Sequence, residues 1–68
     1  MLNVREALKE FNGQVLDLVE LRKALKSVVM KHLSEIPAEF KLRDLFDLAR
    51  EENCIEEVGQ GRVRILAS

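Results

Sequence analysis

Apolar residues near the start of the chain fall at Val4, Ala7, Leu8 and Phe11, the i, i+3, i+4, i+7 spacing of one helix face. The predicted helix has a marked start. Asn3 precedes it and Glu6 stands three residues on, a capping-box pattern that satisfies otherwise orphaned backbone N–H groups. Asn12-Gly13, two residues tolerant of positive φ, supplies its stop. The same start signal recurs at Asp17-Leu18-Val19-Glu20, with Leu16 and Leu21 placed to staple the entering chain to the first turn. The second helix is predicted from Leu18 to about Ser34, ahead of Pro37, with Leu18, Leu21, Leu25, Val28, Val29 and Leu33 on one broad apolar face. Val15-Leu16 reads as a short extended link between the two.

A third helix is predicted between about Lys41 and Glu52, with Leu42, Leu45, Phe46 and Ala49 inward, Leu48 at the flank and Asn53 as a left-handed stop. Two strands, Cys54–Val58 and Arg62–Leu66, then flank Gly59-Gln60-Gly61 as a hairpin. The first half also supports a rival pattern. Met1, Val4, Leu8, Phe11, Val15, Leu18, Arg22, Leu25 and Val29 recur in three- and four-residue steps, as along a coiled-coil seam. That reading places Gly13 inside a helix, at a cost of about 1 kcal/mol, and Arg22 on the seam. Two separate capping boxes favour two helices.

Sixty-eight residues make one small domain. A chain of this size buries only about 60% of the surface it exposes when unfolded, so its core is thin unless stapled or shared with a partner. Cys54 is the one cysteine and cannot form an internal disulfide, so self-association into a homodimer is expected. With 47% apolar and 34% charged residues the balance is that of a globular chain, not a disordered one. Uninterrupted apolar runs reach only three residues, Val28–Met30 and Ile65–Ala67, which gives no membrane span. Nothing at the start resembles a secretion signal, and a lone thiol suits a reducing compartment, so a cytoplasmic location is expected.

Net charge is −1, too even to name a polyanionic partner by itself, but its distribution is uneven. Residues 21–43 hold six cations (Arg22, Lys23, Lys26, Lys31, Lys41 and Arg43) against two acids, Glu35 and Glu39. Residues 44–68 hold six acids against Arg50, Arg62 and Arg64. A basic middle beside an acidic final third gives a surface of two signs.

The stretch FKLRDLFDLAREENCIEEVGQGRVRIL, residues 40–66, carries a resemblance. A helix with Leu42, Leu45, Leu48 and Ala49 in rhythm runs into a strand, a Gly-x-Gly tip and a basic return strand. Together with the element order before it, this resembles the winged helix-turn-helix superfamily: α+β, with three helices followed by a C-terminal β-hairpin. The resemblance implies duplex DNA as partner, one helix in the major groove and the wing against phosphates, although a minority of such domains bind proteins. Two features depart from the DNA-reading pattern. The link Glu35-Ile-Pro-Ala-Glu-Phe40 is longer than the usual tight turn. The third helix also offers Asp44, Asp47, Glu51 and Glu52 beside Arg43 and Arg50, and carboxylates repel phosphates.

Each candidate cation has an ordinary alternative role. If Val58 stands opposite Val63, Arg64 faces Glu57; if it stands opposite Arg62, Arg64 faces Glu56. Either register gives Arg64 a carboxylate, so Arg64 reads as structural and Arg62, beside the turn, as the free cation. Lys41 and Arg43 begin the third helix, where the macrodipole disfavours cations, and Glu51 and Glu52 end it, where anions are disfavoured. Internal pairing is the ordinary explanation; a phosphate-contacting surface is the functional one. Arg22 and Lys26, with Lys23, share an outer face of the second helix that solvent alone can satisfy. The predicted nucleic-acid contacts are Arg22, Lys26, Lys41, Arg43 and Arg62.

Catalysis is not expected. One histidine, one cysteine, and no threonine, tyrosine or tryptophan leave no nucleophile–base–orienter set, and no cofactor is implied. His32 and Glu35 share a helix face, but two ligands do not make a metal site. Cys54 reads as a small buried hydrophobe. The sequence therefore points to a DNA-binding, transcription-associated module. The alternative is a protein-interaction or assembly domain on the same fold, using the apolar side of the first helix and the acidic 51–57 surface.

Overall fold

Side chains that accept from the backbone fix where the helices begin. In the structure, a computed structural model that describes residues 2–68, Asn3 Oδ1 accepts the Glu6 N–H at 3.1 Å and opens helix α1 (Val4–Ala7). The helix stops at Leu8, whose backbone leaves the helical region, and the chain tightens into a 3-10 turn at Lys9–Phe11. The predicted continuous helix from Val4 to Phe11 is thus split, though its apolar residues keep their inward side. Gly13 then turns the chain at φ +85°, a region that strains any residue with a Cβ.

Val15–Asp17 forms strand β1 and leads directly into helix α2 (Leu18–Lys31). Here the capping box is complete: Asp17 Oδ1 accepts the Glu20 N–H at 2.8 Å, and Glu20 Oε1 accepts the Asp17 N–H at 3.0 Å. Helix α2 ends earlier than predicted, and a second 3-10 turn occupies Leu33–Glu35. Helix α3 (Leu42–Glu51) begins at Lys41, whose N–H donates to Asp44 Oδ2 at 2.8 Å. Asn53, at φ +58°, ends it as predicted.

Strands β2 (Ile55–Gly59) and β3 (Arg62–Ile65) form the hairpin, and β1 joins it. The fold is therefore α+β, with three helices and one antiparallel sheet of strand order β1-β3-β2. The extended link is a third strand because Val15, Leu16 and Asp17 lie opposite Arg64, Val63 and Arg62. Glu56 stands opposite Arg64 and Glu57 opposite Val63; a bulge then shifts the pairing so that Gly59 faces Arg62. One core cluster gathers Val4 and Ala7 from α1 with Leu8 just past its end, Leu21, Leu25 and Val28 from α2, and Leu45 and Ala49 from α3. Leu16, Cys54, Val63 and Ile65 close it from the sheet side.

One expectation is corrected. Leu18 and Leu33 do not face inward; they are 67% and 57% exposed. Leu18 occupies the first turn of α2, where the chain has just left the sheet and no element covers it. Leu33 lies past His32, whose non-helical backbone breaks the 3.6-residue phase of α2. The coiled-coil seam is interrupted by Gly13 and β1, and its first position, Met1, lies outside the described residues. On the apolar side of the first predicted helix Val4, Ala7 and Leu8 are buried in the core, while Phe11 is half-buried. No helix among the described residues is long and apolar enough to cross a membrane.

Candidate nucleic-acid interface

Strand alternation sets the direction of the hairpin arginines. Val63 and Ile65 point into the core, so Arg62 and Arg64 emerge together on the other face of β3. Arg64 Nη1 meets Glu56 Oε1 at 2.8 Å, the partner given by one of the two candidate registers. Arg62 donates to Gln60 Oε1 at 2.8 Å, across a tip in which Gly59, Gln60 and Gly61 all have positive φ. The strand joining β3 from the other side does bring a carboxylate opposite Arg62, that of Asp17. It is engaged in capping α2 and makes no ion pair with Arg62.

Ion pairing divides the cations of this chain into two groups. Lys9 pairs with Glu6 at 3.1 Å, Lys31 with Glu10 at 2.8 Å, and Arg50 approaches Glu57 at 4.0 Å while lying over the Phe46 ring. The Arg5 guanidinium donates to the Glu52 carbonyl at 2.7 Å and the Leu66 carbonyl at 3.3 Å, tying α1 to the ends of α3 and β3. Among the described residues, Arg22, Lys23, Lys26, Lys41, Arg43 and Arg62 form no ion pair, and all six are exposed. All five predicted contact residues fall in this second group.

The structure brings three of the five close to a common apolar floor. A groove of about 270 Å³ between α2 and α3 is lined by Leu18, Leu42 and Phe46, with Arg22 and Arg43 on its walls. An adjoining hollow of about 250 Å³ shares Leu18 and Phe46 and continues to Glu57, Arg62 and the hairpin tip. Lys26 lines neither; it lies one helical turn beyond Arg22 on α2. Lys41, at the start of α3, lines neither as well.

Acidic residues limit what this face can do. Asp44 is committed to the Lys41 N–H, which also offsets the cations at the start of α3. Asp47 and Glu51 remain exposed on α3. Helical periodicity assigns Leu18 and Phe46 to inward faces and does not mark them as site residues. The signal for Leu18 was its position as the first residue of a helix entered straight from a strand. His32 closes α2 with Nδ1 at 2.7 Å from Glu35 Oε2. Among the described residues no three His, Cys, Asp or Glu side chains converge to hold a metal. Cys54 is fully buried, and burial pushes its thiol above the ordinary value, against the pull of Arg5.

Compared with known proteins, the chain matches no family model, no curated protein and no solved structure.

Proposed function

We propose that the protein is a non-enzymatic, winged-helix-like module that binds duplex DNA in a transcription-associated role. The observation that carries this reading is the division of its cations. Lys9, Lys31, Arg50 and Arg64 meet carboxylates and Arg5 is bound to carbonyls, whereas Arg22, Lys23, Lys26, Lys41, Arg43 and Arg62 form no ion pair among the described residues. The order helix, strand, helix, helix, hairpin, with β1 beside the return strand, supports the winged-helix assignment.

The acids on α3 set the mode. Asp47 and Glu51 offer acceptors rather than donors to base edges and repel phosphates, so contact is to the backbone of the duplex, from α2, the start of α3 and the tip. Such binding is weak and depends steeply on salt. For five phosphate contacts, log K falls against log salt with a slope of about −4 to −5. Fluorescence anisotropy on a duplex of about two helical turns, from about 50 to 200 mM salt, tests it. Replacing Arg43 and Arg62 together by alanine lowers both affinity and slope. No binding at the lowest salt removes the nucleic-acid reading.

A further inference from the structure

We propose that the groove between α2 and α3 also docks a short acidic amphipathic helix from a partner protein. An apolar side chain of that helix lodges against Leu18 and Phe46, and its carboxylates face Arg22 and Arg43. This goes beyond the nucleic-acid reading and does not rest on it, although both use the same two arginines.

Phosphates alone leave part of this groove unexplained. A polyanionic backbone needs cations, and Arg22 and Arg43 supply them; it has nothing apolar to cover the floor between them. That floor is not one stray leucine, which would need no explanation. Leu18 is 67% exposed and stands with half-buried Leu42 and Phe46 around one groove. Val19, Met30 and Leu33 are as exposed as Leu18, yet line none of the hollows around this site.

The occupant must therefore be apolar at its centre and negative at its edges. Carboxylates suit the walls, because guanidinium groups hold them through paired N–H donors in one plane. Neither arginine has an acid of its own to give up, so docking displaces no internal ion pair. A helix suits the length, since α2 lines the groove from Leu18 to Leu25, about 11 Å or two helical turns. Apolar side chains at i, i+3 or i+4, and i+7 then track the groove while the flanking positions meet the arginines.

The probe is a displayed library of random peptides the length of α2, selected against the intact protein. The expected result is enrichment of acidic sequences with apolar residues at helical spacing. Synthetic copies of the enriched peptides lose about tenfold in affinity or more, as for a central anchor, for the variant Leu18→Ser. That change lies at an exposed position, and circular dichroism verifies that the variant is folded. The double variant Arg22→Glu, Arg43→Glu loses the acidic peptides as well. Enrichment of basic or uncharged peptides, no enrichment, or equal binding to Leu18→Ser overturns the proposal. Duplex affinity, measured separately on the unmodified protein, separates the two readings. Peptide capture without salt-dependent duplex binding supports the docking groove and removes the DNA reading; duplex binding without peptide capture does the reverse.

Discussion

Asp17 of β1 stands directly across from Arg62 of β3, yet the two do not pair. The carboxylate turns into α2, where it accepts the Glu20 N–H at 2.8 Å, and Arg62 turns to Gln60. One acid thus serves a helix start and leaves the neighbouring cation without a carboxylate partner. Asp17→Asn keeps an equivalent capping oxygen and removes the charge. Its expected effect is a gain in duplex affinity of about twofold, because a solvated charge at this range is worth on the order of 0.5 kcal/mol. Asp17→Ala lacks the cap and loses about 1 kcal/mol of stability in urea denaturation.

The two arginines of β3 separate structure from binding. Arg64 and Glu56 form a cross-strand pair, but their side chains are 45% and 50% exposed, so solvent screening leaves only a few tenths of a kcal/mol. A double-mutant cycle of Arg64→Ala and Glu56→Ala returns a coupling of that size, smaller at high salt. Arg62→Ala leaves stability within about 0.5 kcal/mol and weakens duplex binding. The reverse assignment, Arg64 governing affinity and Arg62 stability, contradicts the interface described above.

Cys54 links stability to alkaline pH. Burial raises its thiol above the ordinary 9.0, Arg5 opposes the rise and Glu52 adds to it. The folded state therefore retains the proton after the unfolded chain has released it. This group's contribution is complete below pH 9.0 and is lost as pH climbs through the raised value of the folded state. Urea melts on either side of that range show a fall in stability that is smaller in Cys54→Ala. Alkylation by iodoacetamide is slow in the folded protein and fast in denaturant.

The helix starts were legible because a cap is a local contract: Asn3 with Glu6, and Asp17 with Glu20, are each three residues apart. Asp44 reaching back to the Lys41 N–H leaves no such signal, because lysine has no side-chain acceptor to advertise a cap. The strand β1 was only half legible. Three residues carry too little alternation to declare a strand, and their pairing with β3 is a contact across nearly fifty positions of chain. The sequence leaves the hairpin register open between two choices; the Glu56–Arg64 pairing of one is present, but a bulge puts Gly59 and not Val58 opposite Arg62. For the site, charge type and position were readable, but pairing was not. Whether a lysine or arginine is neutralised depends on partners such as Glu10 for Lys31, twenty-one residues away. The floor of Leu18 and Phe46 was hidden for the same reason: helical periodicity says which residues share a face, not whether anything covers it.

The strand order leaves β2 at an outer margin of the sheet, with Glu56 and Glu57 pointing to its opposite faces. An exposed strand margin is where chains stack into cross-β fibrils. Here each added copy would bring like-charged carboxylates to within a strand spacing of about 4.8 Å on both faces of the stack. The repulsion between like charges guards this margin against a second copy.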